Sequence, residues 1–437
     1  MKLVSLIRFA VTGLLCAMGV ISAQASSLID DGKTTVKYSQ YYFKENDGGG
    51  VGPNRDEWVQ AVRLGFSSGW FKDFLGFDYT HALADDLFVG DAATSLTNLT
   101  AGSSPRDAHS INKPLEAYLR TQWRDEARTW TAGYGKKARR YPIYIDDTSR
   151  ILPAASMGWD LGYATDAMNL RYSRLHAFSP RNATGWGERL ENFRGQQIDN
   201  LQIYSASYKT PFGTRLLGEY AQARDYLRSG FLQVEQTFPI SASQSLAVSL
   251  THGRQQDAGK LFEYEGVRRL YEPESSHDAR YLDMTMRYNV GGHSLAFSWN
   301  KVRGDDFDRL FFAQDHGTWN SSGKLYFFFG LRDEEMYKIS STVDFAALGV
   351  PGLKMLSYYA LSNQAYGYDG FSRREFQNIF QYSFDGPLQG LSVAWLHDRF
   401  HTEGTPDGIH RTVASRGPAG IITEHSERLY LTWQRSF

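Results

Sequence analysis

The 437-residue chain ends in Glu427–Phe437, ERLYLTWQRSF. Leu429, Leu431, Trp433 and Phe437 share one parity; Arg428, Tyr430, Thr432, Gln434 and Ser436 share the other. A period of two makes a β-strand with one apolar and one wet face. Chain ends usually fray in polar residues, whereas this one stops inside a strand on an aromatic ring. What the apolar face touches decides the fold.

The same alternation recurs along the chain. Trp58, Val62, Leu64 and Phe66 alternate with Ala61, Arg63, Gly65 and Ser67; Leu115, Ala117, Leu119 and Trp123 alternate with Glu116, Arg120, Gln122 and Arg124. The pattern predicts about 18 strands of about ten residues, the length that crosses a bilayer at a tilt. They run from 33–43 to 426–437. Short turns rich in Gly, Pro and Asp (KTPFG, PISAS, VGG, DGPLQ) alternate with long connections at 44–56, 84–114, 137–157, 177–196, 254–279, 303–334 and 402–425. An outer-membrane up-and-down barrel sorts its connections by length in this way, with tight periplasmic turns and long external loops. A soluble sandwich has no reason to do so, and it would need polar residues where Trp, Tyr, Phe and Leu stand here. The expected fold is therefore all-β, a transmembrane antiparallel barrel. An even strand number puts both termini on the periplasmic side, and closure removes the exposed sheet edges.

Composition agrees. Aromatic residues are 14% of the chain, with 26 tyrosines, 27 phenylalanines and 10 tryptophans. Met1–Ala25 has Lys2 and Arg8, an apolar run from Phe9 to Ile21, and the small-residue site Ala23-Gln24-Ala25. This reads as a signal peptide, leaving 26–437 as one barrel domain. The apolar run is too short to span a membrane as a helix. Cys16, the single cysteine, lies within it, so the remainder has no disulfide. Without the signal, 45 cations stand against 48 acids, a net charge of −3. That is no nucleic-acid-binding balance.

If the apolar face meets lipid and lipopolysaccharide, the polar face lines a lumen. Arg63, Arg120, Arg124, Arg171, Arg287, Lys338 and Arg428 are the expected pore-lining cations, with Lys37 and Arg215 beside them. Asp78, Glu116, Glu219, Glu235, Asp283 and Asp344 fall on the same face. Inward charges of both signs mean water inside, and fixed charges select solutes by sign. The third long loop, around YPIYIDDTSRILP (Tyr141–Pro153), mixes basic pairs, acids and apolar residues. Such a loop can fold into the barrel, anchor its apolar residues on the wall and turn its charges to the opening. The alternative is an external loop whose basic run binds headgroup phosphates.

The chain resembles the OprD-type substrate-specific porins, including their chitoporin branch. The resemblance rests on IDDGKTTVKYSQYYF (Ile29–Phe43), on the Tyr141–Pro153 segment, on Ser229–Gly259 and on Arg374–Leu396 with the last strand. It implies an 18-stranded passive channel for small hydrophilic solutes, monomeric or a loose homotrimer, with Asp146, Asp147 and Arg150 at or near the eyelet. It also implies that the terminal strand is read by the barrel-assembly machinery. Members that carry basic amino acids or carboxylates have an arginine ladder on the late strands. Here Ala394, Leu396 and Tyr358 stand in those places. The aromatic-rich stretch FDRLFFAQDHGTWNSSGKLYFFFG (Phe307–Gly330) looks more like the chitoporin branch, and aromatic-lined pores suit sugars. Amino acids or carboxylates and oligosaccharides both stay open as substrates.

A barrel hydrolase or a non-conducting adhesive barrel are the rivals. A hydrolase needs nucleophile, base and orienting group together; no HExxH frame and no Gly-x-Ser-x-Gly elbow occurs. His397 and His401 share a strand face without a ligand pattern around them. No catalytic residue, metal or cofactor is expected. A blocked barrel would turn large apolar residues inward, and the strands offer few.

Overall fold

The computed structural model describes residues 26–47, 54–90, 98–100, 108–262, 276–314, 316–317, 319–406 and 423–437. The expected signal peptide lies outside them. A short helix, α1 (Ser26–Asp30), leads into 18 wall strands. These are β1 (Lys33–Asp47), β2 (Arg55–Ser67), β3 (Leu75–Val89), β4 (Ile111–Arg124), β5 (Thr129–Lys137) and β6 (Ala155–Ala164). There follow β7 (Met168–Ser179), β8 (Leu201–Lys209), β9 (Arg215–Ala223), β10 (Leu227–Ser241), β11 (Gln244–Asp257) and β12 (Asp278–Val290). The last six are β13 (His293–Gly304), β14 (Glu335–Asp344), β15 (Leu353–Asn363), β16 (Tyr368–Ser383), β17 (Leu391–Pro406) and β18 (Thr423–Ser436).

Each strand pairs antiparallel with the next, and β18 pairs with β1, so the sheet closes. At the seam Tyr38 lies opposite Trp433 and Thr35 opposite Ser436. The Phe437 N–H donates to Thr34 O at 2.8 Å, and the Thr34 N–H donates to Phe437 O at 3.1 Å. The terminal residue is thus part of the ladder. Closure matters because each backbone group left unpaired in hydrocarbon costs several kcal/mol. The outward face is apolar: Trp58, Leu119, Trp123, Trp159, Leu161, Leu232, Phe297 and Leu429 are all exposed.

Two external connections are short, Arg224–Tyr226 and Gln364–Gly367, where strict alternation of short and long would put long ones. Leu115 also departs from expectation. Alternation placed it outward, but a β-bulge shifts the β3–β4 register, with Thr80 opposite Glu116 and His81 opposite Pro114. The extra residue reverses parity beyond it. Ile111, Lys113 and Leu115 therefore turn inward and are buried.

Candidate functional site

The third external loop, residues 138–154, crosses the lumen. At one end Tyr141, Ile143 and Tyr144 join a buried cluster that includes Ile203 on β8 and Leu217 on β9. At the other end Ile151 and Leu152 are buried against Val59, Ala61, Ala82 and Leu115 on β2–β4. Fully burying each of these aliphatic side chains is worth about 1.5–3 kcal/mol. Hydrogen bonds fix both ends: the Ile143 N–H donates to Glu219 Oε2 at 2.8 Å, and the Ile151 N–H to Asn98 Oδ1 at 2.8 Å.

Asp146 pins the loop from within. It is 1% exposed and accepts from the Arg139 N–H (2.7 Å), the Tyr144 hydroxyl (2.6 Å) and the Ser156 hydroxyl (2.7 Å). Burial still pushes its carboxyl above the ordinary value. Arg139 is buried beside it and binds Asp160 through two N–H groups, at 2.9 and 2.8 Å. Arg150 is buried too, 3.9 Å from Glu57. Of the three residues expected at the eyelet, Asp147 alone keeps appreciable exposure, 24%, and pairs with Arg181 at 3.0 Å. Burial raises the Asp147 carboxyl, but Arg181 and the Ser149 donors outweigh it and hold it below its ordinary value.

A second segment, residues 305–334, also folds inward. Phe307, Phe311, Phe312 and Trp319 enter the same cluster as Tyr144. Phe327 stacks on Phe400 of β17 at 3.9 Å, and Phe329 packs beside it. Large apolar residues thus do face inward, from the wall strands as well as from the loops, and they pack together to fasten the loops to the wall. The two loops meet: the Gly317 N–H donates to Ile145 O at 2.9 Å, and Asp146 forms a β-bridge with His316. The late strands serve as a dock. Glu375 on β16 accepts the Tyr326 and Phe327 N–H groups at 3.1 and 3.0 Å, and Lys338 Nζ donates to Ser322 O at 2.8 Å. Arg428 is buried between Glu45, Phe43 and Tyr326.

Charge converges where the loops approach. Arg140 and Lys324 are exposed, and Arg309 is half-buried. Lys324 lies within the field of Arg140, Arg309 and Asp147, and Asp147 within that of Arg181 and Arg309. Desolvation by the surrounding walls, then Arg140 and Arg309, hold the Lys324 ammonium below its ordinary value. Among the described residues, Arg181, Arg309 and Lys324 thus act on Asp147 while Arg140 acts on Lys324, so four cations and one carboxylate share the place where the loops approach. Toward the periplasm a cavity of 490 Å³ opens beside it. Arg120, Arg124, Lys137, Arg139, Arg140 and Arg171 line it, against Asp78 and Asp160. Arg171 lies 3.8 Å from the Tyr141 ring and donates to Arg140 O at 2.9 Å. Arg120 pairs with Asp78 at 3.2 Å. Arg63 on β2 donates to Ile151 O and so supports the loop. Arg287 is exposed on the inward register of β12, away from this cavity. Sequence reasoning did not single out Arg181, Arg309 or Lys324. The last two sit in the aromatic-rich stretch, where the aromatics drew the reading.

A family model described as outer membrane porin, OprD family, matches residues 26–409. The chain belongs to the OprD family of outer-membrane porins. This porin is 22% identical over 404 residues to the porin-like protein GalP of Pseudomonas putida, covering 90% of this chain and 93% of that one. It is 21% identical to Porin D of Pseudomonas aeruginosa over 350 residues, 77% of this chain and 75% of the relative. Its fold matches solved Pseudomonas aeruginosa channels: OpdK with vanillate (TM-score 0.74, 20% identity) and OccK2 (OpdF) with glucuronate (TM-score 0.71, 18% identity). Each covers 94% of this chain and 100% of the solved one. The porin sits in the outer membrane with both termini periplasmic, and it is a channel in a family of channels.

Proposed function

We propose that this porin is a passive channel for small hydrophilic anions, with carboxylates as the preferred class. The carrying observation is the meeting of the two loops, where Arg181, Arg309 and Lys324 act on Asp147 and Arg140 acts on Lys324. Rings of fixed positive charge favour anions, and the cationic cavity below extends that preference along the path. The late-strand arginine ladder is missing, and the cations stand on β4–β7, on the two loops and, for Arg181, just past the end of β7. The aromatic side chains of Phe307–Gly330 that are buried anchor the loop, so their number does not argue for a sugar track. That vanillate and glucuronate, both carboxylates, are bound in the two solved relatives supports the same class. On this reading Asp147 belongs to the eyelet, while Asp146 and Arg150 hold the loop that forms it. The terminal aromatic strand fits recognition by barrel-assembly machinery.

Liposome swelling with vanillate, glucuronate, lysine and uncharged sugars tests the reading. Faster entry of the two carboxylates is expected; entry that favours lysine would remove the anion assignment. A silent barrel in planar bilayers would remove the channel itself.

A further inference from the structure

The outward face of the wall carries a feature that solute passage does not use. Arg228, His252, Arg254, Arg280, Lys301 and Arg303 line two adjoining grooves of 460 and 630 Å³ on β10–β13, at the external rim. Both grooves share His252. The register sets Arg254 opposite Arg280, and Arg280 opposite Arg303. Like charges directly opposite each other destabilise a sheet. Asp278 offsets part of this, accepting from Arg254 at 2.9 Å and from Arg280 at 2.8 Å. Lys301 pairs with Glu335 at 3.2 Å. Five permanent cations thus meet two carboxylates, and Arg228 and Arg303 make no side-chain hydrogen bond or ion pair with any described residue.

Height on the wall narrows the partner. Two residues nearer the bilayer than the Arg254–Arg280 pair stand Leu282 on β12 and Leu232 on β10, both in register with His252. Leu250 follows one layer further down β11, and Leu232, Leu250 and Leu282 are 71%, 48% and 38% exposed. Two residues along a strand are about 7 Å. A cationic row therefore sits one side-chain layer above an apolar band, on the side of the outer leaflet. The same rim on β16–β18 is matched. Arg374 and His401 both meet Glu403, at 3.4 and 2.8 Å, and His397 meets Glu427 at 2.5 Å. The excess distinguishes β10–β13 from β16–β18.

We propose that the outward rim of β10–β13 is a binding site for the phosphorylated glycolipid of the outer leaflet. Its phosphates would occupy the grooves between Arg228, Arg254, Arg280 and Arg303, and its acyl chains would lie on Leu232, Leu250 and Leu282. Charge complementarity carries the choice: the surplus is cationic, the partner must be anionic at the head and apolar below, and a bis-phosphorylated headgroup supplies two anions to bridge adjacent grooves. The inference rests on the membrane location and is independent of the solute.

The test uses the full protein in mild detergent, with native mass spectrometry of added lipids. The probes are bis-phosphorylated lipid A, the same lipid stripped of both phosphates, and phosphatidylglycerol. Wild-type protein is expected to retain bis-phosphorylated lipid A in preference to both others. Combined Arg254→Ala, Arg280→Ala and Arg303→Ala should weaken that retention about a hundredfold, each surface cation contributing roughly fivefold. Arg374→Ala should leave it unchanged. Unaltered single-channel conductance would show that the triple variant is folded, since none of the three side chains faces the lumen; if the triple variant fails to fold, Arg303→Ala alone should still weaken retention several-fold. Equal retention of the dephosphorylated lipid, of phosphatidylglycerol, or by the folded triple variant would overturn the proposal. So would a self-association of the porin that this substitution abolishes.

Discussion

Arg120 on β4 and Arg428 on β18 both point into the lumen, yet their surroundings differ. Arg120 is 19% exposed, beside Trp70 and a half-buried Asp78. Arg428 is 9% exposed and held by Glu45, itself fully buried, under Tyr326. The contrast holds for the two walls as wholes. On β14–β18 the inward side chains hold down residues 305–334, so their charges are spent on structure. On β3–β7 the wall below the third loop is open, and its charges face water. Inward register alone therefore does not make a residue part of the path; what the loops leave uncovered does.

The largest test of this difference is Glu45→Ala. It takes from buried Arg55 and Arg428 the carboxylate they share, and removing one partner of such a group costs about 3–5 kcal/mol. A lowered urea midpoint is expected, together with noisier conductance as residues 305–334 loosen. Unchanged stability would mean that the late wall is not a dock. Next comes Leu152→Ala, which opens a cavity under the third loop and should cost about 2–4 kcal/mol. Conductance should rise if that loop narrows the pore. A smaller effect is expected from Lys324→Ala with Arg309→Ala, which should lower anion over cation permeability about threefold to tenfold, as loss of charge from a selectivity ring does. Smallest in stability is Arg120→Ala, for which a partly exposed ion pair predicts about 0–1 kcal/mol; its effect should be on selectivity alone.

Acidity acts on the same slot with a definite sign. The Asp147 carboxyl titrates below its ordinary value, so it stays charged until the solution is strongly acidic. Its pairing with Arg181 stabilises the loop above the unfolded value and is lost as pH falls through the folded one. Protonation there removes the negative charge of Asp147, so anion preference should rise at low pH. Lys324 sits below its ordinary value and should lose charge before a free lysine does. Anion preference should therefore fall on the alkaline side. Reversal potentials across a pH series check both limbs.

Much of this was legible in the sequence, for physical reasons. A period of two survives through most of the wall because one face meets lipid, so about 18 strands could be read from side chains alone. The bulge at Leu115 could not, since one extra residue leaves no trace in alternation except a change of phase. Loop burial was the harder matter. Asp146 reads as a solvent-facing loop acid, and only the convergence of Arg139, Tyr144 and Ser156 makes it a pin. Phe311, Phe312 and Phe327 read as a lining because sequence cannot say which side of a loop packs on the wall. Arg309 and Lys324 stood among them, and their role follows from the third loop, about 170 residues earlier in the chain, a separation that no local pattern encodes.

The most direct measurement is the reversal potential of the wild-type porin in a planar bilayer under a potassium chloride gradient at neutral pH. A sign showing chloride to be the more permeant ion is what the proposed anion path past Arg140, Arg181, Arg309 and Lys324 predicts. A sign showing potassium to be more permeant would contradict it.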